Sequence, residues 1–362
     1  MEHKELGIAV IGSGRIGTLR ASMAAAHPSV RFLAVSDLDS SRARTLADRT
    51  GAQFFSDDNL DVISRPEVNA VIVSTSEHEH TLPVLQALEK GKPVLVEKPI
   101  AVRLEDADRI LDASRRSGVE LRVGYTRRLQ RHYLLAKEQI LLGRLGQILG
   151  GTGRVYFPRN HAFQILKRSP EATPVLDLLT YYVDLMCWFL EGNSPVEVVA
   201  RGQGGICTAA GYPANDVTWA LLTFADGAVV SLGVFSGLPE GYPLCGQSAR
   251  TEILGTEGVM LFDEDHKESI LYTNRGIGDS YVPGYSVNMA FLGSTPPGDW
   301  ALGDFWGPLA SETRAWFDHL SMGRPCCLAT PEDAQKTLEV TLAIEQSAQR
   351  RKSIRLPLAE RR

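Results

Sequence analysis

Three groups of residues in this 362-residue chain are of types that do chemistry together. The first is Glu97-Lys98-Pro99, which ends the apolar run Pro93-Val94-Leu95-Val96. A lysine at the lip of a buried strand offers a fixed positive charge to a developing alkoxide. The second is Gly12-Ser13-Gly14-Arg15-Ile16-Gly17, a G-x-G-x-x-G pattern with an apolar strand before it and a helical stretch after it. In that setting Gly12 permits a tight turn, Gly14 lets the backbone approach a pyrophosphate, and Gly17 allows close helix–strand packing. The helix N-terminus then presents N–H groups to the phosphates. The third is Asp177, Tyr181 and Asp184, spaced i, i+4, i+7 and so on one helical face of an otherwise apolar stretch. Lysine and dinucleotide pattern together point to hydride transfer.

Asp37 lies at the end of the second apolar run, where an acid accepts hydrogen bonds from the adenosine ribose and repels a 2′-phosphate. This favours NAD over NADP. Arg42 and Arg44 read as solvated charges on the next helix. Ser74, Thr75 and His80 follow the third apolar run, at the carboxyl edge where a sheet of this kind binds its ligand. No metal site is expected from His78, His80 and the carboxylates beside them. Carboxylates on a buried helix need partners. Asp184 is therefore expected to make structural hydrogen bonds, and Asp177 to face a cleft.

The elements that must position these groups follow from periodicity. Gly7–Ile11, Arg31–Ser36, Ala70–Ser74, Pro93–Val96 and Glu120–Val123 read as strands. Helical stretches intervene: one running to about Ala26, then Ser40–Thr50 with Ser40 as a possible N-cap, Leu82–Glu89, and Leu104–Ser117 closed by Gly118. Strands alternating with helices imply a parallel sheet covered on both faces. From about Gly146 the pattern changes to longer alternating segments: Ile148–Tyr156, Val196–Ile206, Val217–Phe224, Ala228–Phe235 and Thr251–Leu254. Ala225-Asp226-Gly227 is a hairpin signal. One helix, Val175–Leu190, precedes most of these strands. Gly276–Gly298 reads as irregular, Pro331–Arg350 as a helix behind a possible Thr330 cap, and Ser353–Leu356 as a last strand. The expected fold is an α/β Rossmann domain at 1–125, followed at 126–362 by an α+β domain with a large, mostly antiparallel open sheet. The C-terminal segment is free to pack back on the first domain.

A net charge of −5 argues against a nucleic-acid binder. No apolar run reaches the roughly 20 residues of a membrane span. The polar start Met1-Glu2-His3-Lys4-Glu5 does not read as a signal peptide, so a cytoplasmic protein is expected. Cys187, Cys207, Cys245, Cys326 and Cys327 lack Cys-x-x-Cys spacing and are read as reduced thiols.

The chain resembles the Gfo/Idh/MocA oxidoreductases, which include glucose–fructose oxidoreductase, inositol dehydrogenase and dimeric dihydrodiol dehydrogenase. The resemblance rests on Gly12–Gly17, Thr75 with His80, Val94 to Pro99, Gly124-Tyr125-Thr126-Arg127-Arg128, Asp177 to Asp184, Glu312–Phe317 and the ending Pro331–Leu356. It implies that Lys98 is catalytic and that Glu97, Lys98, Ser74, Thr75 and His80 join the glycine-rich turn (Gly12, Ser13, Gly14, Arg15, Ile16, Gly17) and Asp37 in holding the cofactor. Family members carry an Asp-x-x-x-His pair. Asp177 fills the first place here, and Tyr181 stands where the histidine would be, as in dihydrodiol dehydrogenase. Tyr181 is then the candidate base. A tyrosine ordinarily titrates near 10, and a nearby ammonium lowers it. Arg128, rather than Arg127, is expected at the substrate, with Asn160 and His161 as further contacts; an exposed loop histidine is the alternative for His161. Trp300 and Trp306 are either a stacking face or ordinary packing. The implied activity is NAD-dependent oxidation of a secondary alcohol or hemiacetal of a sugar, inositol or related cyclic polyol. A dihydrodiol-type dehydrogenase and a non-catalytic NAD-sensing regulator are the alternatives. A homodimer or homotetramer joined through the second-domain sheet is expected.

Overall fold

The computed structural model describes residues 4–239, 242, 247–264, 270–278, 286–291 and 298–359. The chain forms two compact units, one made of Met1–Leu129 with Pro297–Gln335, the other of Gln130–Pro296 with Lys336–Arg361. The first unit thus runs four residues past the expected limit at 125 and takes in a later segment.

The first unit opens with β1 (Leu6–Ile11), α1 (Arg15–Ala26), β2 (Val30–Ser36), α2 (Ser40–Thr50), β3 (Phe54–Ser56) and α3 (Asn59–Ser64). It continues through β4 (Ala70–Val73), α4 (Thr81–Glu89), β5 (Val94–Glu97), α5 (Leu104–Ser117) and β6 (Leu121–Gly124). The strands form one sheet in the order β3-β2-β1-β4-β5-β6, with every pair parallel. All of β1 and β4 is buried, as continuous apolar runs in a doubly covered sheet require. The connections reverse direction between β1 and β4, and a crevice opens at the carboxyl ends of those two strands. Asp39, not Ser40, caps α2: its carboxylate accepts from the Ser41 N–H at 2.9 Å. Gly118 closes α5 in the left-handed region, with φ 64. The three-residue β3 is half-buried and too short for periodicity to reveal.

The second unit begins with α6 (Arg131–Leu141), β7 (Ile148–Pro158) and α7 (Arg159–Arg168). A π-helical turn at Val175–Leu179 runs straight into α8 (Thr180–Phe189). There follow β8 (Pro195–Gln203), α9 (Ile206–Ala209), β9 (Val217–Phe224), β10 (Val229–Leu238), β11 (Ser248–Gly255), β12 (Val259–Asp263), and the pair β13 (Ile270–Gly278) and β14 (Ser286–Phe291). The chain then adds to the first unit a short hairpin, β15 (Asp299–Ala301) and β16 (Asp304–Trp306), and α10 (Pro308–Met322). α11 (Pro331–Arg350) and β17 (Ile354–Arg355) end the described chain.

The large sheet has the order β12-β11-β7-β10-β9-β8-β17; only β7 and β10 run parallel. β9 and β10 form a hairpin whose turn places Gly227 at φ 92, while the Asp226 carboxylate accepts from the Ala228 N–H. Along β9 the period of two is strict: Thr218, Ala220, Leu222 and Phe224 are buried, whereas Trp219 and Leu221 are about half exposed. α8 packs on the buried face, with Tyr182 set against Gly153 of β7.

Three expectations change. Ile206 starts a helical turn rather than ending a strand, because the Asp216 carboxylate accepts from the N–H groups of Ile206 and Cys207. The stretch 276–298 holds strand residues of β13 and β14, and the remainder, 279–285 and 292–297, lies outside the described residues. The helix 175–190 is not uniform. Cys187, Cys207, Cys326 and Cys327 carry thiols, and Cys245 is outside the described residues. Among the described residues, no helix is long and apolar enough to cross a membrane.

Candidate active site

In the first unit the carboxyl end of β1 passes into the glycine-rich turn. Gly12 has φ 96, and a Cβ there would meet the Ser74 carbonyl oxygen at 2.7 Å. Gly17 presses on the turn itself: its Cβ would lie 1.8 Å from the Gly12 carbonyl oxygen. A Cβ on Gly14, the N-cap of α1, would meet nothing within 4 Å. No side chain caps the helix at Gly14, and no acid stands in the first turn of α1. Asp37 organises this turn from the end of β2. Its carboxylate accepts from the Ser13 N–H at 2.9 Å and the Asp39 N–H at 3.0 Å. The Ser13 hydroxyl donates to the Ser36 carbonyl at 3.1 Å. Ser74, at the end of β4, is buried, and its hydroxyl has no protein hydrogen-bond partner. An open helix N-terminus, a carboxylate at the ribose position and an orphaned hydroxyl in the crevice together fit a dinucleotide.

Lys98 follows β5 and is half-buried. The residues on either side of it are held. Glu97 is paired with Arg20 of α1, whose Nε donates to Oε1 at 2.9 Å. The Pro99 carbonyl accepts from His80 Nδ1 at 2.8 Å, and His80 Nε2 lies 3.3 Å from the Thr75 carbonyl. A neutral ring has one N–H, which the shorter contact assigns to Nδ1. His80 is fully buried, and burial pushes its pKa below the ordinary histidine value, against the opposing pull of Pro99, Glu77, Glu97 and Thr75. His80 therefore braces the two loops, and Glu97 spends its carboxylate inside the fold.

Arg128, expected at the substrate, is buried in the first unit with Nη1 3.1 Å from Asp333. That carboxylate also accepts from the Thr330 N–H at 3.2 Å, while Thr330 Oγ1 accepts from the Asp333 N–H, so the guanidinium anchors the capped start of α11. That contact holds one arm of the guanidinium. Arg127 is also buried. Trp300 and Trp306 lie on the β15–β16 hairpin, each about half exposed, and Trp300 meets Phe305 edge to face at 5.5 Å.

In the second unit Asp177 sits in the π-turn, where the Thr180 N–H reaches five residues back to the Val175 carbonyl. Such turns recur at functional sites. Pro174 opens the turn, and Thr173 Oγ1 caps it by accepting from the Leu176 N–H at 3.2 Å. The Thr173 hydroxyl in turn donates to Glu345 of α11, whose pKa is raised by burial. Asp177 and Tyr181 are half-buried, whereas Asp184 is wholly buried. Asn160 and His161 lie in the first turn of α7, Asn160 half-buried and His161 buried. This corrects the reading of His161 as an exposed loop residue.

A family model described as "Oxidoreductase family, NAD-binding Rossmann fold" matches residues 6–125, and the "GFO/IDH/MocA C-terminal domain" model matches residues 133–261. An inositol 2-dehydrogenase from Rubrobacter xylanophilus is 30% identical over 266 residues, spanning 72% of each chain. The chain belongs to the Gfo/Idh/MocA oxidoreductase family. The myo-inositol 2-dehydrogenase of Thermotoga maritima is 27% identical over 74% of this chain and 78% of its own. Among solved structures, scyllo-inositol dehydrogenase from Lactobacillus casei with bound NAD(H) and scyllo-inositol matches at TM-score 0.79 and 20% identity, covering 97% of this chain and 99% of that one. As a Gfo/Idh/MocA chain this protein is an NAD-binding oxidoreductase. Sequence reasoning did not link Arg20 to Glu312 and Thr313. The signal was present: an arginine three residues past Gly17, on a helix otherwise made of small and apolar residues at its buried positions, needs an acid inside the fold.

Proposed function

We propose that the protein is an NAD-dependent dehydrogenase that oxidises a secondary alcohol of a cyclic polyol, with inositols and sugars as the substrate class. The observation that carries this reading is Lys98, set at the carboxyl end of β5 in the unit whose crevice fits a dinucleotide. The names of the relatives, inositol 2-dehydrogenases among them, support the substrate class. NAD, when bound, supplies the hydride acceptor. Lys98 donates a hydrogen bond to the alcohol oxygen and stabilises it as its proton leaves. Tyr181 takes that proton, and Asp177 orients the hydroxyl.

Asp37 supports NAD over NADP. The two nearby arginines have other neighbours: Arg42 pairs with Asp39 at 3.4 Å, and Arg44 stands over the Phe55 ring at 5.4 Å. Tyr181 in place of the family histidine keeps a cyclic-diol substrate as a second reading. Self-association through the outer face of the large sheet is proposed from Trp219, Leu221, Val229 and Leu261, all exposed.

The test is a panel of inositols, aldoses and cyclic diols, each with NAD⁺ and NADP⁺, read as reduced cofactor formed. Turnover of a cyclic polyol with NAD⁺ supports the reading. NAD binding without turnover of any member would replace it with a cofactor-sensing role.

A further inference from the structure

Arg20 lies inside the first unit with none of its side chain exposed. Its Nε donates to Glu97 Oε1 at 2.9 Å, its Nη1 donates to Thr313 Oγ1 at 2.6 Å, and its Nη2 pairs with Glu312, which is also wholly buried. One cation thus holds two carboxylates from different parts of the chain, one ending β5 and the other in α10. The sheet leaves room for the group. A Cβ on Gly124 would come within 3.2 Å of Arg20 Nη2, 3.3 Å of Glu312 Oε2 and 3.3 Å of Glu97 Oε2.

Replacing a buried ion network by well-packed apolar side chains of similar volume is often neutral or stabilising. What the network supplies is direction, because a planar guanidinium with a fixed fork of donors sets the angle and position of each carboxylate it binds. Glu97 is the residue before Lys98, so whatever fixes its side chain also fixes the backbone from which Lys98 projects. His80 holds the residue after Lys98 by a separate contact.

We propose that Arg20, with Glu312 and Thr313 fixing its orientation, is a positioning residue that acts through Glu97 to aim Lys98. The proposal rests on the reading of Lys98 given above. It also gives Glu97 a purpose apart from touching the cofactor, and it ties the aim of Lys98 to α1, the helix whose N-terminus faces the dinucleotide crevice. A network that merely joins α10 to the sheet would lower stability without acting on Lys98.

A double-mutant cycle with a substrate-free readout separates the two. Arg20→Lys keeps a charge but loses the fork, and Glu97→Gln keeps shape but loses charge; both remain usable if Arg20→Met does not fold. On the polyol that the wild-type protein turns over, each is expected to lower kcat about tenfold or more, since small misplacements of a catalytic group cost up to about a hundredfold. In Arg20→Lys the KM for NAD is expected to stay near the wild-type value. In a Lys98→Met background the same substitutions are expected to change kcat less than about twofold, because the group they act through is gone. Equal losses in both backgrounds would overturn the proposal. The second readout is the acylation rate of Lys98 by acetic anhydride, followed by peptide mass spectrometry against the exposed Lys90. A several-fold change in Arg20→Lys and Glu97→Gln supports the proposal, and an unchanged ratio in both refutes it. If the wild-type protein turns over no polyol, the proposed function fails, and the acylation ratio still decides the role of Arg20.

Discussion

Gly14 and Gly17, three residues apart, have opposite burdens, and substituting each by alanine separates stability from cofactor binding. At Gly17 the new methyl would start 1.8 Å from the Gly12 carbonyl oxygen, whereas real Cβ atoms essentially never approach within 3.0 Å. Turn and helix must move apart by the difference. Neither partner is a flexible side chain, so the cost lies at the upper end of overpacking, about 3 kcal/mol. At roughly 2–4 °C per kcal/mol for a unit of this size, thermal unfolding should shift down by about 6–12 °C. At Gly14 the methyl meets nothing within 4 Å, and the backbone at φ −71 accepts alanine. Stability should change by less than about 0.5 kcal/mol. The methyl occupies the approach of the pyrophosphate, so the Kd for NAD should rise about tenfold, equivalent to about 1.4 kcal/mol. Thermal unfolding followed by circular dichroism and titration of NAD by calorimetry measure the two effects. Wild-type unfolding of Gly17→Ala, or wild-type NAD affinity of Gly14→Ala, refutes this account of the turn.

Three further outcomes follow from the same geometry. Because burial holds the His80 pKa below its ordinary value, the unfolded chain takes up the proton first as pH falls; stability should be fully present above about pH 6.5 and decline below it. His80→Gln should flatten that part of a Tm-against-pH profile, and an unchanged slope would contradict the assignment. Asp37→Ser removes the carboxylate that repels a 2′-phosphate, so the kcat/KM ratio for NADP⁺ over NAD⁺ should rise by about tenfold or more; an unmoved ratio would place cofactor selection elsewhere. If Tyr181 is the base, kcat should rise as pH climbs through its pKa and collapse in Tyr181→Phe, whereas a flat profile from about pH 6 to about pH 10 would remove it from that role.

The parallel sheet was legible because its strands are continuous apolar runs and its first turn needs glycines at fixed places, as Gly12 and Gly17 show. The alternation along β9 was equally plain, since Trp219 and Leu221 face out between buried neighbours. What composition and spacing could not show was how charges pair across long separations. Arg128 reads as a cation near a strand end, and only the fold brings Asp333 to it. Glu97 reads as part of a cofactor motif, and only the fold reveals Arg20 and Glu312 around it. The π-turn at Asp177 was hidden for a different reason. Helical periodicity assumes uniform turns, and here one turn is wider, with the Thr180 N–H reaching back five residues to the Val175 carbonyl.

The central claim is that Lys98 serves the chemical step while the glycine-rich crevice holds the cofactor. The most direct test is Lys98→Met, with NAD affinity and kcat for the best polyol measured side by side. The account predicts NAD binding close to wild type and a kcat lower by about 10²–10³-fold. Turnover near the wild-type rate in Lys98→Met would contradict it.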